Sequence, residues 1–315
     1  MAGRRRFRIL SLSGGGYLGL YTAKVLATIE ARAGEPLGRR FDLIAGTSVG
    51  GILALALAFE VPMKAVLKLF LERGTAIFSP RALPRGTVTR LLDLSRSVLG
   101  PKYTGIALRE ALAQHLGTQT LGEALHSVVI PAVNVTTSVT KVFKTPHAPL
   151  SRGDEHVPAI DVAMATSAAP AYFPAVGIGH ALYADGGLYA VAPDQIALHE
   201  ARHFMGVDPA GIRMLSIGTA VAGYQPAAGI QSDDGAVGWL SDGRLILTML
   251  SVQQQHVQAM TEDLLGNRYL RIDAPWPSGD RLGIDVATPA AVRTLTALAD
   301  WSLSELDDAT LQKFL

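Results

Sequence analysis

Short β-like runs of hydrophobic residues alternate along the chain with longer stretches in which hydrophobic positions recur at helical spacing. Strands are predicted over 7–12, 41–45, 127–135, 140–144, 181–184, 212–217 and 269–272, and helices over 20–33, 51–60, 63–73, 106–116, 160–166, 193–204, 244–265 and 290–303. Strands that alternate with helices form a parallel or mixed sheet covered on both faces. The pattern therefore predicts an α/β fold, without an internal repeat or an evident linker.

The most hydrophobic stretch, residues 49–59, is too short to cross a membrane. It would form a helix of about 16 Å, whereas the hydrocarbon core of a bilayer is about 30 Å thick. The stretch therefore predicts a buried core helix, and we expect a soluble chain. The one long loop candidate, 220–243, is rich in Gly, Ala and Asp and is interpreted as a mobile segment or a lid.

Composition narrows the class of protein. Of 315 residues, 49% are hydrophobic and 17% are charged, a balance that allows a large core and excludes intrinsic disorder. The length suits two domains or one large α/β domain, and 32 glycines with 17 prolines argue against a helical bundle. The absence of cysteine excludes disulfides, thiolate metal sites and a cysteine nucleophile.

The net charge of +1 is unevenly distributed. Four arginines lie within the first eight residues, and the rest of the chain carries 24 Lys and Arg against 27 Asp and Glu. This balance is not that of a nucleic-acid-binding domain. No long apolar stretch follows the arginines, so an export signal is disfavoured. We predict a basic tail over 1–6 and a single domain over 7–315.

A glycine-rich loop over 14–19 lies between the first predicted strand and helix, with glycines at Gly14, Gly15, Gly16 and Gly19. It matches the dinucleotide-binding pattern G-x-G-x-x-G. That pattern needs an acid at the end of the second strand, whereas Asp42 lies near its start. Unhindered backbone N–H groups at a helix N-terminus can instead stabilise an oxyanion. A turn without chemical function is the third interpretation.

Ser48 lies in the sequence G-T-S-V-G, between a predicted strand and a strongly apolar helix. In that context G-x-S-x-G is typical of a nucleophile elbow, and Gly46 and Gly50 leave room for a tight, strained turn. The helix that follows directs its N-terminus at the reacting carbon, where it favours negative charge. Ser48 is therefore the candidate nucleophile.

Asp185 is the candidate proton acceptor for Ser48. It follows a short predicted strand and precedes Gly186 and Gly187. An aspartate at a strand end can accept the serine proton directly when its carboxylate lies within about 3 Å of the hydroxyl. An ordinary Asp-Gly turn, and a triad completed by one of the histidines at 199, 203 or 256, are the alternatives.

The segment 199–203 reads H-E-A-R-H, a match to the zinc motif H-E-x-x-H on a predicted helix. Gly206 continues the metzincin pattern, but Pro209 stands where a third histidine ligand would fall. We favour two polar positions one turn apart on a helix and expect no metal; a zinc hydrolase stays as an alternative.

The three motifs together resemble those of the patatin-like phospholipase family, which has a G-G-G-x-R/K-G loop, then G-x-S-x-G, then D-G-G or D-G-A. Order and approximate spacing match. The similarity is strong over about residues 7–220 and extends to the segments 103–112, 128–132, 142–144, 165–170, 172–174 and 216–219.

The resemblance implies a three-layer α/β/α fold with a mixed, mostly parallel central sheet. It implies a lipid acyl hydrolase of the phospholipase A type that works through a Ser48–Asp185 dyad and an acyl-enzyme, without histidine, metal or cofactor. The glycines of the loop 14–19 would supply oxyanion donors. Leu18 replaces the family's basic loop residue, and Val191 and Ala192 stand where the family often has asparagines.

Partners are also implied by the resemblance. The substrate would be a phospholipid membrane surface, contacted transiently by a cytoplasmic protein peripheral to the inner membrane. Bacterial relatives of this size resemble anti-phage effectors that a cyclic nucleotide activates, which suggests a cyclic dinucleotide as activator. No nucleic-acid polymer is expected, and a homo-oligomer stays open, as does a catalytically silent scaffold.

Two basic regions are candidates for membrane docking. One is the arginine tail, and the other is 63–73 with 76–78, where Lys64, Lys68 and Arg73 flank apolar positions. For 63–73 we favour a core-facing helix with a solvated edge.

Overall fold

The computed structural model of the chain describes residues 6–78, 100–226, 235, 239, 243–277 and 282–315. Most of the basic tail and most of the predicted long loop, 220–243, lie outside the described residues. Within the described ranges, the strands are β1 (Phe7–Leu12), β2 (Leu43–Gly46), β3 (Val128–Asn134), β4 (Val139–Lys144), β5 (Val176–Ile178), β6 (Ala181–Asp185), β7 (Ile212–Ile217) and β8 (Tyr269–Ile272).

The helices of the described ranges are α1 (Gly19–Ala33), α2 (Val49–Ala58), α3 (Met63–Ile77), α4 (Ile106–Leu116), α5 (Ala159–Thr166), α6 (Asp194–His199), α7 (Arg244–Leu265), α8 (Pro289–Ser304) and α9 (Asp308–Leu311). The predicted elements are confirmed, most of them with ends displaced by one or two residues. The predicted helix 193–204 divides into α6 and a π-helical turn, Glu200–Phe204. Short β5 and α9 were not predicted from the pattern.

The strands of the described residues form one eight-stranded sheet in the order β5-β6-β3-β2-β1-β7-β8, with β4 paired to β3. Pairing is parallel between β3, β2, β1, β7 and β8, and antiparallel where β4, β5 and β6 are involved. The predicted α/β class with a mixed, mostly parallel sheet is confirmed. Loops that follow β1 and β2 consequently emerge side by side at one edge of the sheet, where α/β folds place their ligands.

Two strands meet head to head along one edge of β3. β4 pairs with β3 from Val129 to Asn134 and so occupies the other edge. β2 pairs at the start of β3, with Ala45 opposite Val129. β6 runs the opposite way and pairs near the end of β3, with Asp185 opposite Ala132. The carboxyl ends of β2 and β6 therefore face each other across Pro131.

Helices cover both faces of the sheet. On one face, α2 is buried along almost its whole length, as its uniformly apolar sequence predicts. One cluster of buried side chains on this face includes Leu10 at one end of the chain and Leu315 at the other. This continuity supports the single domain over 7–315, which stays a prediction. In the described part of the chain, no helix is both long and apolar enough to cross a membrane.

The helix α3 packs inward. Its apolar side is buried through Met63, Val66 and Phe70, whereas Lys64 and Lys68 are exposed. The core-facing interpretation of 63–73 is confirmed. These three side chains therefore face the interior of the protein rather than an external lipid surface, whereas Leu71 of the same helix is exposed.

A buried polar network stabilises the second face of the sheet. The Asp194 carboxylate, fully buried at the start of α6, accepts hydrogen bonds from the Ser11, Ser216 and Tyr269 hydroxyls at 2.5, 3.0 and 2.7 Å. Burial and this carboxylate raise the pKa of the Tyr269 phenol, which therefore stays a donor. Buried Arg271 donates to Ser216 and forms an ion pair with Asp273 at 2.8 Å. The network thereby joins β1, β7 and β8 to α6.

Replacing Asp194 with alanine is expected to lower the free energy of unfolding by about 3 kcal/mol, because it leaves three buried hydroxyls without their acceptor and removes a negative charge that acts on buried Arg271. Urea denaturation followed by circular dichroism measures this. The control is Asp300→Ala, which removes a carboxylate that is 60% exposed and paired with Lys24, and should change the value by less than about 1 kcal/mol. Equal shifts for both variants would contradict the prediction.

Candidate active site

Ser48 occupies a strained turn between β2 and α2. Its φ of 55° and ψ of −125° lie outside the regions that side-chain-bearing residues ordinarily adopt. The turn closes because its neighbours have no side chains. A Cβ on Gly46 would lie 2.1 Å from the Gly50 carbonyl oxygen, and one on Gly50 would lie 2.2 Å from that of Leu12. The glycines of the G-x-S-x-G sequence are therefore sterically required.

Two threonines hold this turn in place. The Ser48 N–H donates to the Thr166 hydroxyl at 3.0 Å, and that hydroxyl donates to the Pro131 carbonyl at 2.6 Å. The Thr47 hydroxyl donates to the Ala190 carbonyl at 2.7 Å. The elbow is thus tied to β3 and to the segment that follows β6. Neither threonine was among the predicted site residues, although both lie in segments that carry the family resemblance.

The structure brings Ser48 and Asp185 together. The Ser48 hydroxyl donates to Asp185 Oδ2 at 2.7 Å, and the Gly187 N–H donates to Oδ1 at 2.7 Å. Asp185 is held from behind, because its own N–H donates to the Ala168 carbonyl at 3.0 Å. The serine bonds directly to the carboxylate, with no histidine between them.

The turn after Asp185 also depends on a glycine. A Cβ on Gly186 would lie 2.3 Å from the Pro131 carbonyl oxygen. That carbonyl lies in the gap between the ends of β2 and β6, so Gly186 allows the turn to pass close to β3. An ordinary Asp-Gly turn would not need this close approach.

Burial raises the pKa of the Asp185 carboxyl to about 6, and the hydrogen bonds from Gly187 and Ser48 oppose the rise. At neutral pH the group is therefore ionised but more basic than an exposed aspartate. A general base is most effective when its pKa lies near the working pH. The arrangement can therefore take a proton from Ser48.

The four predicted loop glycines have different positions. The Gly14 N–H donates to the Val191 carbonyl at 2.8 Å. The Gly19 N–H donates back to the carbonyls of residues 16 and 17, and Gly19 packs against Val49 without lining the cavity described below. Within the described part of the chain, no acceptor takes the N–H groups of Gly15 and Gly16. These two amides are the available donors for an oxyanion.

Gln253 of α7 supports the turn that follows Asp185. Its carboxamide accepts from the Val191 N–H at 3.2 Å and donates to the Gly187 carbonyl at 3.3 Å. Val191 and Ala192, which stand where the family often has asparagines, are both buried. A side chain 62 residues away along the chain thus supplies hydrogen bonds to the turn. Its distance in sequence is why sequence reasoning missed it.

An apolar cavity extends from Ser48 and is lined by Gly14, Gly15 and Gly16 at that end. Its walls come from α2, α3, α4 and α7 and from the segment between α5 and β5, with side chains that include Ile52, Val66, Phe70, Leu112, Phe173 and Ile246. Within the described lining, polar side chains come from Ser48, His115, Ser167, Tyr172 and Asp185. Leu18, which replaces the family's basic loop residue, is fully buried away from this lining. The cavity therefore suits a hydrocarbon chain.

The H-E-x-x-H segment has a structural position. The rings of His199 and His203 stack on each other with centroids 5.0 Å apart. Glu200, which a zinc hydrolase needs as a base, is buried and engaged by Lys144 and His147. Within the described residues, no three His, Cys, Asp or Glu side chains are grouped so that they could hold a metal ion.

A family model described as patatin-like phospholipase matches residues 10–198, which include the elbow, the glycine-rich loop and Asp185. The chain belongs to the patatin-like phospholipase family. It is accordingly a hydrolase that acts on lipid esters. The family resemblance predicted from the three motifs is confirmed.

Named relatives cover most of the chain. A cGAMP-activated phospholipase of Pseudomonas aeruginosa is 41% identical over 299 residues, which is 94% of this chain and 87% of the relative. One of Vibrio cholerae is 34% identical and covers 93% of this chain and 89% of the relative. Among solved structures, VipD from Legionella pneumophila gives a TM-score of 0.41 at 13% identity and covers 94% of this chain and 67% of that chain.

Replacing Asp185 with asparagine is expected to raise stability at pH 8. The pKa is about 6 in the folded protein against an ordinary 3.8, so the ionised carboxylate costs on the order of 3 kcal/mol of folding free energy above pH 6. Asparagine keeps the shape without the charge. Urea denaturation at several pH values measures the gain, which should shrink as pH falls through 6 and vanish near 4. A gain that does not depend on pH would be evidence against the raised pKa.

Proposed function

We propose that this patatin-like protein hydrolyses the acyl esters of membrane phospholipids, with Ser48 as nucleophile and Asp185 as proton acceptor. The observation that carries the proposal is the 2.7 Å hydrogen bond between them at the head of an apolar cavity. The buried carboxylate with its raised pKa and the strained elbow are the features expected of an active site rather than of a scaffold.

The proposed reaction has two steps. Ser48 Oγ attacks the ester carbonyl carbon while its proton passes to Asp185, and the alcohol then leaves with that proton, giving an acyl-enzyme. Water attacks the acyl carbon, gives a proton to Asp185, and Ser48 recovers it as the fatty acid leaves. Burial favours the neutral carboxyl, so proton transfer to Asp185 is helped by its environment.

The charge that develops on the carbonyl oxygen would be stabilised by backbone groups. Gly15 and Gly16, whose amides have no acceptor among the described residues, line the same cavity as Ser48, and α2 begins at Val49, immediately after the proposed nucleophile. Its N-terminus adds a favourable field. This step does not need the cation that the family carries at the position of Leu18.

We propose that the phospholipid enters the site through the mouth of the cavity. Leu188 lines the cavity and is 43% exposed, so it can contact acyl chains as a lipid enters. Arg6, the last residue of the basic tail, lies at the start of β1, whereas the glycine-rich loop follows the end of that strand. The length of β1, about 20 Å, therefore separates Arg6 from the loop that lines the cavity. We propose that the protein associates peripherally with the inner membrane through the mouth rather than through the tail.

We propose cGAMP as the activator of the hydrolase. The support is the name "cGAMP-activated phospholipase" of relatives that are 41% and 34% identical and match this chain over nearly its whole length. A phospholipase that a cyclic dinucleotide switches on would suit a cytoplasmic effector that damages the cell's own membrane during phage infection.

Ser48→Ala and Asp185→Asn are each expected to reduce hydrolysis of phospholipid vesicles by about 10³-fold or more, with circular dichroism unchanged.

Wild-type kcat/KM should fall about tenfold per pH unit below pH 6, because only the ionised Asp185 accepts the proton. Fluorophosphonate labelling with mass-spectrometric location of the adduct identifies the nucleophile. Wild-type turnover in Asp185→Asn, or inactivation by a zinc chelator, would overturn the dyad.

Adding cGAMP to the wild-type protein is expected to increase fatty acid release from phospholipid vesicles at least tenfold, and to have no effect on Ser48→Ala. Mass spectrometry of released fatty acids measures this, with a linear dinucleotide as the control ligand. Equal release with cGAMP, with the linear dinucleotide and without either would contradict the proposed activator while leaving the dyad intact.

A further inference from the structure

Ser167 has a buried hydroxyl without a protein partner. The residue is 7% exposed and lines the cavity that begins at Ser48. Its Oγ has no hydrogen-bond partner within the described part of the chain. A serine at the end of a helix commonly bonds back to a carbonyl of the preceding turn, and Ser167, directly after α5, does not.

Such a hydroxyl costs about 1–3 kcal/mol in folding when it is left unsatisfied. Buried polar groups in proteins are otherwise almost always paired. An unpaired hydroxyl in a cavity wall therefore indicates that its partner is a group that enters the cavity.

The neighbours of Ser167 place it next to both members of the proposed dyad. The Thr166 hydroxyl accepts the N–H of Ser48, and the Ala168 carbonyl accepts the N–H of Asp185. Ser167 thus belongs to a three-residue segment whose outer members hold the nucleophile and the base. Because Thr166 also bonds to Pro131, this segment approaches the site from the β3 side.

The free amides of the glycine-rich loop approach from a different side. The loop follows β1, which pairs with β2 on the edge away from β3. Gly15 and Gly16 therefore reach the carbonyl oxygen from the β1 side, whereas Ser167 lies beside Asp185. This separation argues against Ser167 as a third oxyanion donor.

We propose that Ser167 Oγ forms a hydrogen bond with the oxygen of the leaving alcohol, and later with that of the attacking water, when each exchanges a proton with Asp185. In acylation this is the alcohol oxygen of the leaving group, as its bond to the acyl carbon breaks and it takes the proton from Asp185. In deacylation it is the oxygen of the attacking water, which gives a proton to Asp185 and forms the bond to the acyl carbon. Ser167 keeps its own proton throughout. The inference rests on the proposed Ser48–Asp185 reaction.

The test is stopped-flow hydrolysis of a p-nitrophenyl acyl ester by Ser167→Ala, with cGAMP present. The p-nitrophenolate leaving group needs little stabilisation, so the rate of the first p-nitrophenol release should match wild type. Steady-state turnover should fall about tenfold or more, because the attacking water loses its partner. The progress curve should therefore show a burst near one equivalent per Ser48. A purely structural role would slow both phases together.

A matched control is Ser302→Ala. Ser302 is also 7% exposed, but its hydroxyl accepts from Tyr21 at 2.8 Å, away from the cavity lining. This variant should lose stability and keep both kinetic phases. Ser167→Ala should keep or gain stability, because it removes an unpaired buried group. If Ser167→Ala does not fold, Ser167→Cys keeps the volume with a weak hydrogen-bonding group and should show the same burst.

If Ser48→Ala is inactive, the role of Ser167 is overturned when Ser167→Ala keeps the steady-state turnover of wild type, or when it slows the burst and the steady state equally. If Ser48→Ala keeps the turnover of wild type, the proposed reaction itself fails. The two failures are therefore distinguishable by one set of assays.

Discussion

The site depends on one constraint of the sheet: β2 and β6 run toward each other along the same edge of β3. Ser48 and Asp185 are 137 residues apart in the chain, and only this head-to-head pairing brings them within hydrogen-bond distance. The gap between the two strand ends is occupied by the Pro131 carbonyl, which receives the Thr166 hydroxyl and leaves room only for a glycine at 186. The elbow, the turn after β6 and the end of α5 all take their positions from this gap.

Most of the architecture follows from local pattern. Strands and helices were predictable because buried strands read as short apolar runs and α2 reads as uniformly apolar. Ser48 and Asp185 were predictable as candidates because glycines flank both. Predicting their contact required the family resemblance, since periodicity does not say which strand pairs with β3. The π-helical turn after α6 has no signal in the pattern, because a segment of five residues is too short for its period to be told from that of an α-helix.

Residues that act over long sequence distances were not predictable. Gln253 lies in a polar run of α7 that reads as a solvated face, and its contact with Val191 exists only because the fold brings α7 beside the segment that follows β6. Thr166 and Ser167 lie at the end of an apolar helix, where a hydroxyl has no distinctive pattern. Gly14 and Gly19 look equivalent to Gly15 and Gly16 in sequence, and only the fold shows that their amides are already used.

Two adjacent glutamines of α7 connect the two halves of the site. Gln253 bonds to the turn after Asp185, while Gln254 bonds to Thr219, which in turn bonds to the Gly14 carbonyl. Successive residues on a helix point about 100° apart, so one rigid rod reaches both loops at once. Any displacement of α7 would therefore act on the turn after Asp185 and on the glycine-rich loop together. The two loops are thus connected to each other through a single step along α7.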